Sequence, residues 1–220
     1  MTEEKLTEQI KNWSSTFGKE YTDRNPQTVA VMDELYKKQF GLTRTELNLM
    51  FLSDLDRSIK ILEVGANVGT QLQGLQAIGF QNLYGIELQS YAVEESKKNT
   101  HNINLIQGSA FDIPFRDCYF DLVFTSGVLI HINPHDIDIV LREIYRCTSE
   151  YIWGYEYYAD QYSEIPYRGS RNLMWKADFA KLYLDKFEDL EMIKEKRIKY
   201  LDNDNLDSMF LMKKKCKNEQ

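Results

Sequence analysis

The sequence predicts an α/β fold, a mostly parallel sheet with helices on both faces, and three observations predict it. From Ile59 onward, strand-like runs alternate with helix-like ones. Asp121 to Ser126 is nearly continuous in apolar character, as a strand buried on both faces should be. The stretch from Ile59 to Thr70, IKILEVGANVGT, reads as a buried strand running into a glycine turn that opens a helix.

Each element follows in order. Residues 1–56 contain no strong strand-like run, and the spacing of Val29, Met32, Leu35, Leu42, Leu47, Leu49, Met50 and Leu52 predicts short amphipathic helices. They read as a helical cap on a single domain of residues 1–220, followed by a ligand-binding core at 57–158 and a loop, last helix and hairpin at 159–220. Within the core, strands are expected at Ile61–Glu63, Leu83–Glu87, Ile103–Ile106, Asp121–Ser126 and Tyr151–Tyr155. Helices are expected at Gln71–Ile78, Ala92–Asn99, Asn133 through Arg146, and Lys176–Lys186. Two last runs, Asp189–Lys199 and Leu206–Met212, flank Asp202-Asn203-Asp204-Asn205, and that link predicts a hairpin.

The bulk properties narrow the class. At 220 residues, with 43% hydrophobic and 13% aromatic content, the chain can bury one good core and is not a disordered sequence. A mean hydropathy of -0.49 and the lack of an apolar run near membrane length argue against a spanning helix. Met1 to Leu6 lacks the basic start of a secretory signal. Cys118, Cys147 and Cys216 have no paired metal spacing, so a reduced cytoplasmic setting without bound metal is expected. A net charge of -7 disfavours nucleic acid and anionic membrane as partners. The cluster from Lys213 to Lys217 reads as a solvated tail.

The chemistry concentrates at the glycine turn. Glycine permits positive φ and close approach of a ligand to the backbone, and the helix beyond the turn presents free N–H groups. Gly65 and Gly69 fit that role, and Glu87, 22 residues after Gly65, ends the next strand where a βαβ unit places an acid for ribose hydroxyls. A dinucleotide fingerprint would need glycine at position 67, where this chain has Asn67, so a nicotinamide dehydrogenase is disfavoured.

Glu63-x-Gly65-x-x-x-Gly69 followed by that acid resembles the class I S-adenosylmethionine-dependent methyltransferases. The resemblance implies a Rossmann-like, seven-stranded sheet whose antiparallel last strand inserts beside the fifth. It also implies S-adenosyl-L-methionine as cofactor, with S-adenosyl-L-homocysteine as product. Glu63, Gly65, Ala66, Asn67 and Gly69 would lie beside the methionine portion, and Glu87 and Leu88 beside the ribose. Ser109, Ala110 and Phe111 would meet the adenine, although Ser109 stands where the family usually has aspartate. Thr125, Ser126 and Gly127 would form the wall next to the sulfonium.

His131 lies just past that wall. With an ordinary pKa near 6.5 it either takes a proton from the acceptor or fixes the loop locally. Glu156, ending the fifth strand on the ligand side, is a second candidate base.

Two outer segments, Trp13–Asn25 and Glu156–Gly169, resemble the methyltransferases associated with pseudaminic acid biosynthesis. That narrower likeness implies a small acceptor, a nonulosonic acid sugar free or nucleotide-activated; the alternatives are methyl transfer to an unrelated small metabolite or a peptide group, or a cofactor-binding regulator without catalysis. Arg24 or Tyr21 on the cap could bind the cofactor's carboxylate. Tyr157, Tyr158, Tyr167 and Arg168 would surround the substrate, with Arg168 either holding its anion or pairing with Glu156 or Glu164.

Overall fold

Strand alternation and helix capping set the layers of this molecule, seen in a computed structural model that describes residues 8–215 apart from 168 and 170. Met1 to Leu6, Arg168, Cys216 and Lys217 therefore lie outside the described residues. The cap consists of α1 (Glu8–Trp13), α2 (Thr16–Arg24), α3 (Val29–Phe40) and α4 (Arg44–Leu52). Side-chain caps punctuate it: Ser15 opens α2, Thr28 opens α3, and Thr43 with Glu46 forms a capping box at α4. Gly41 closes α3 at φ 77°, a conformation that glycine adopts without strain.

The core follows as β1 (Lys60–Val64), α5 (Thr70–Ala77), β2 (Asn82–Glu87), α6 (Ser90–Asn99), β3 (Ile103–Gln107) and β4 (Phe120–Ser126). A single 3-10 turn at Leu129–His131 leads to α7 (Ile137–Cys147) and β5 (Thr148–Tyr158). Next come β6 (Ser163–Glu164), β7 (Trp175–Lys176), α8 (Phe179–Lys186), β8 (Leu190–Lys199) and β9 (Leu206–Lys214). The expected last helix is shorter at its start, because Trp175 and Lys176 pair with Glu164 and Ser163 in a small separate hairpin.

Seven strands form one sheet in the order β3-β2-β1-β4-β5-β9-β8. The first five are parallel, and β9 runs antiparallel to both β5 and β8. This is the expected Rossmann-like sheet with its final strand beside the fifth. The strand order reverses at β1 and β4, the place where open α/β sheets hold ligands beyond their carboxyl ends. Register carries this further: Val64 pairs with Ile86 and Thr125, and Ser126 pairs with Tyr155, so the turns that follow share one edge.

Alternation gives the sheet two cores. Leu62, Val64, Val123, Ile152 and Phe210 face α7 and α8. Ile61, Leu122, Phe124, Trp153 and Tyr155 face α4 and α5 and the end of α3. A fully buried side chain such as Trp153 or Phe210 contributes about 2–3 kcal/mol by leaving water.

Gly154 is fixed by this packing. A Cβ there would lie 2.1 Å from Cζ of the buried Phe210 ring on β9. Gly154→Ala should cost about 3 kcal/mol in urea unfolding, and adding Phe210→Leu should recover part of that loss. Equal stability of Gly154→Ala and the parent would show that β9 can shift away from β5.

Candidate functional site

The glycine turn begins the site. Gly65 has φ 77°, and a Cβ on it would meet Cγ2 of Val128 at 2.6 Å, so the turn after β1 packs directly against the loop after β4. Gly65 and Ala66 both donate their N–H to the Ile86 carbonyl, and Asn67 follows in the left-handed region at φ 47°. The result is one side of a cavity of about 440 Å³, within the range of small-molecule sites.

Glu63, Gly65, Ala66, Asn67, Glu87, Leu88, Ser109, Ala110, Phe111, Ser126, Gly127, Tyr21 and His131 line this one cavity. Their common edge follows from the register of β1, β2 and β4. Glu87 Oε2 accepts from Asn67 N at 2.9 Å and Oε1 from Gln89 N at 2.8 Å. Burial raises its carboxyl above the usual range, and those backbone N–H groups act in the opposite direction. Glu63 is raised well above the usual range by burial, with the Arg44 charge opposing and Glu87 adding to it. Its Oε2 is buried without a hydrogen-bond partner. Ser109 Oγ accepts from Phe111 N at 3.2 Å, which fixes the turn that carries Phe111.

His131 is buried, with Nδ1 2.8 Å from the Leu173 carbonyl. A carbonyl only accepts, so Nδ1 carries the proton and Nε2 carries the lone pair. Burial brings its pKa down to about 4, with the Leu173 bond pulling the other way, so the ring is neutral at pH 7. Trp13 and Tyr167 lie against it, with ring centroids at 4.5 and 5.5 Å.

Other sequence candidates stand elsewhere. Arg24 points away on the surface, where its guanidinium is 3.8 Å from Glu20. Gly69 caps α5 at φ 80°, and the space beside it is filled by Thr100 and Leu105 rather than the cavity. Thr125 and Glu156 belong to the α7 and α8 face of the sheet. Glu156 accepts from Val128 N at 3.2 Å and Ile130 N at 3.4 Å. Burial pushes its carboxyl up to about 7 against the Thr125 hydroxyl and those N–H groups. The carboxylate thus holds the loop that carries His131 and does not line the cavity. Tyr157 packs on Tyr200 with Lys176 Nζ 3.9 Å from its ring centre, and Tyr158 bonds Asp160 under Arg197. Tyr167 stays beside the cavity through His131, and Arg168 lies outside the described residues.

Several lining residues were not singled out from sequence. Trp13, Thr22, Asn25 and Pro26 come from the cap, Tyr36 and Gln39 from α3, Gln71 from α5, and Tyr155 from β5. Tyr155 could have been found by strand alternation, since it shares a face with Phe124 and Trp153. Behind it, Arg44 is fully buried, donates to Asn48 Oδ1 at 2.9 Å and Tyr36 OH at 3.1 Å, and lies 4.4 Å from the Tyr155 ring centre.

Sheet order, glycine turn and strand-end acid match the Rossmann-like fold of the class I methyltransferases, whose cofactor is S-adenosylmethionine. Residues 62–150 match the family model described as a methyltransferase domain. YrhH of Bacillus subtilis (strain 168), which bears a methyltransferase name, is 30% identical over 119 residues, 51% of this chain and 65% of its own. The demethylmenaquinone methyltransferase of Staphylococcus carnosus (strain TM300) is 31% identical over 120 residues, 53% of this chain and 49% of its own. The chain thus spans about half to two thirds of the length of these curated relatives.

Among solved structures, the PH0226 protein from Pyrococcus horikoshii OT3 superposes with a TM-score of 0.66 at 18% identity, covering 89% of this chain and 99% of that one. The 1,6-didemethyltoxoflavin-N1-methyltransferase of Burkholderia thailandensis, with S-adenosylhomocysteine bound, gives 0.62 at 12% identity, with coverage of 78% and 76%. The [4+2]-cyclase SpnF gives 0.61 at 14%, with coverage of 78% and 79%. At these identities the likeness is one of fold.

The cavity residues fit this cofactor. Each Glu87 oxygen accepts a backbone N–H in its wall and keeps lone pairs for the ribose hydroxyls, and the buried Glu63 oxygen can accept a donor from the methionine portion. Among the described residues, no group of acids, histidines and cysteines could hold a metal ion, and no helix is long and apolar enough to cross a membrane.

Burial of two titrating groups gives opposite pH slopes. His131 has a folded pKa of about 4 against an ordinary 6.5, so the unfolded chain takes the proton first and stability falls as pH drops through that window. Glu156 has a folded pKa of about 7 against 4.5, so its contribution is present in acid and is lost as pH rises toward 7. Each amounts to about 3 kcal/mol at most. In urea unfolding between pH 4 and 8 the two slopes largely cancel in the parent; His131→Gln should leave stability falling as pH rises, and Glu156→Gln should leave it falling as pH drops. Unchanged slopes in both variants would contradict the assignment.

Proposed function

We propose that this protein transfers the methyl group of S-adenosylmethionine to an oxygen or nitrogen of a small, anionic, sugar-derived acceptor such as a nonulosonic acid. One observation carries the reading: the two outer segments that suggested this acceptor converge on His131. Trp13 comes from one and Tyr167 from the other, and Phe17 closes the group with its ring 6.0 Å from Tyr167. Arg168 follows Tyr167 directly in sequence and is the proposed contact for the acceptor's anion.

S-adenosylmethionine supplies a methyl group already activated by positive sulfur. The chain's part is to hold, align and exclude water, and good alignment can supply about 7–11 kcal/mol of the barrier. In this reading Glu87 holds the ribose, Ser109 to Phe111 bracket the adenine, and the Gly65–Asn67 turn with Glu63 supports the methionine portion. Tyr21 replaces Arg24 as the cap's contact for the cofactor's carboxylate, and its phenol stays protonated because burial pushes it up to about 12. His131 Nε2 receives the acceptor's proton, and Glu156 fixes the loop on which His131 sits. The Trp13 indole N–H, buried without a partner beside His131, suits an oxygen on the acceptor. The cytoplasmic location belongs to the same proposal.

A second reading, methyl transfer to an uncharged small metabolite, is favoured by a specific observation. Among the described residues, no lysine or arginine lines the cavity, whereas Glu63 and Glu87 do.

Release of S-adenosylhomocysteine, measured with nonulosonic acids and with uncharged hydroxyl and amine compounds, separates the two. Turnover of sugar acids that falls at least tenfold in Arg168→Met supports the first reading, and turnover of uncharged compounds alone supports the second. His131→Asn should lower kcat by about 10²–10³-fold while S-adenosylhomocysteine still binds in calorimetry. Full activity in that variant would remove His131 as the base.

A further inference from the structure

We propose that Asn67 and Gln89 are positioning residues that latch the helical cap to Glu87, so that one set of bonds closes both the cofactor end and the His131 end of the cavity. The inference rests on the reading of Glu87 as the ribose acid and goes beyond it by giving that acid a second task.

Both residues have the same construction. Each donates its backbone N–H to one oxygen of Glu87, Asn67 to Oε2 at 2.9 Å and Gln89 to Oε1 at 2.8 Å. Each then reaches into the cap with its side-chain amide. Asn67 Nδ2 donates to Thr22 Oγ1 at 3.1 Å, and Gln89 Nε2 donates to the Trp13 carbonyl at 3.2 Å and the Ser15 carbonyl at 3.1 Å. Thr22 is 1% exposed and Gln89 8%, so these bonds are shielded from water.

The cap side is built to receive them. The Thr22 hydroxyl donates a hydrogen bond to the Gly18 carbonyl at 3.1 Å, leaving its oxygen to accept from Asn67. Gly18 allows α2 to press on the end of α1, since a Cβ there would lie 1.9 Å from the Trp13 carbonyl oxygen. Trp13 is thereby held against His131.

Asn67 also explains its own place in the turn. Glycine would satisfy the backbone at φ 47°, and asparagine is among the few other residues that adopt this region readily. Only asparagine adds a side chain that spans from the turn to the cap, while its Oδ1 accepts from Val68 N at 2.9 Å. A ribose hydroxyl on Glu87 would share the oxygens that the latch residues already hold, so ligand and cap order the same loop.

The test uses the whole chain, with S-adenosylhomocysteine as the probe. Asn67→Gly keeps the left-handed turn and removes the arm, Thr22→Val removes the receiving hydroxyl, and Thr22→Ser restores it. Tyr91→Phe is the control, because it removes a cap tie to Asp23 that does not involve Glu87. Asn67→Gly and Thr22→Val should each speed S-adenosylhomocysteine dissociation roughly three- to tenfold. Each should also raise hydrogen exchange in α2, with exchange in β1 and β4 unchanged. The double variant should be no worse than the stronger single, because both remove one bond. Thr22→Ser and Tyr91→Phe should behave as the parent.

Dissociation and α2 exchange at parent values in both Asn67→Gly and Thr22→Val would overturn the latch. So would a loss of protection spread evenly over β1 and β4. If the parent fails to bind S-adenosylhomocysteine, the ribose reading fails, and α2 exchange in the ligand-free variants still decides whether the bond holds the cap.

Discussion

The closeness of Gly65 to Val128 is the constraint on which the rest of the site depends. Two loops from different strands meet at a distance that leaves no room for a Cβ, so the turn after β1 and the loop after β4 cannot move independently. Glu156 reinforces this from the opposite face of the sheet by binding the N–H groups of Val128 and Ile130. Its position is therefore felt at His131, although the carboxylate never reaches the cavity. The cavity's shape is thus an outcome of backbone hydrogen bonding more than of the side chains that line it.

Much of the fold was legible because it is written in local periodicity. The run KILEV, the alternating helices and the asparagine- and aspartate-rich hairpin each carry their signal within about ten residues. Glu87 and the segment Ser109 to Phe111 were legible for a related reason, since βαβ spacing fixes where strand ends fall. The side of the sheet was harder to read. A strand exchanges faces at every residue, so a choice of Glu156 over Tyr155 moves the candidate from the cavity to the opposite core. Tyr157 and Tyr158 were expected around the substrate, but the β8–β9 hairpin, distant in sequence, brings Tyr200 and Arg197 over them. Arg24 and Thr22 are two positions apart on α2, and nothing in their spacing says which one the cap turns inward.

The scaffold and the aromatic residues at the cavity have different origins in the chain. Residues 62–150 carry the methyltransferase-domain pattern, whereas Trp13, Tyr36, Tyr155 and Tyr167 come from outside it or from its end. A [4+2]-cyclase shares the fold, so the sheet alone does not dictate the reaction. The cap does more than cover the site, because Arg44 ties α4 to Tyr36 and Tyr155 and stiffens the aromatic wall between cap and sheet.

The placement of β9 has a consequence for how the protein comes to exist. β5 finds its second neighbour, and β8 its only one, in a strand that follows both in the chain. Until Leu206–Lys214 has been synthesised, the apolar edge of β5 around Ile152 and Trp153 has no partner, and β8 belongs to no sheet. Such an edge is a template for pairing with the wrong chain. During synthesis, residues 1–205 are therefore made while the sheet is still open, and solubility in that interval depends on whatever shields β5.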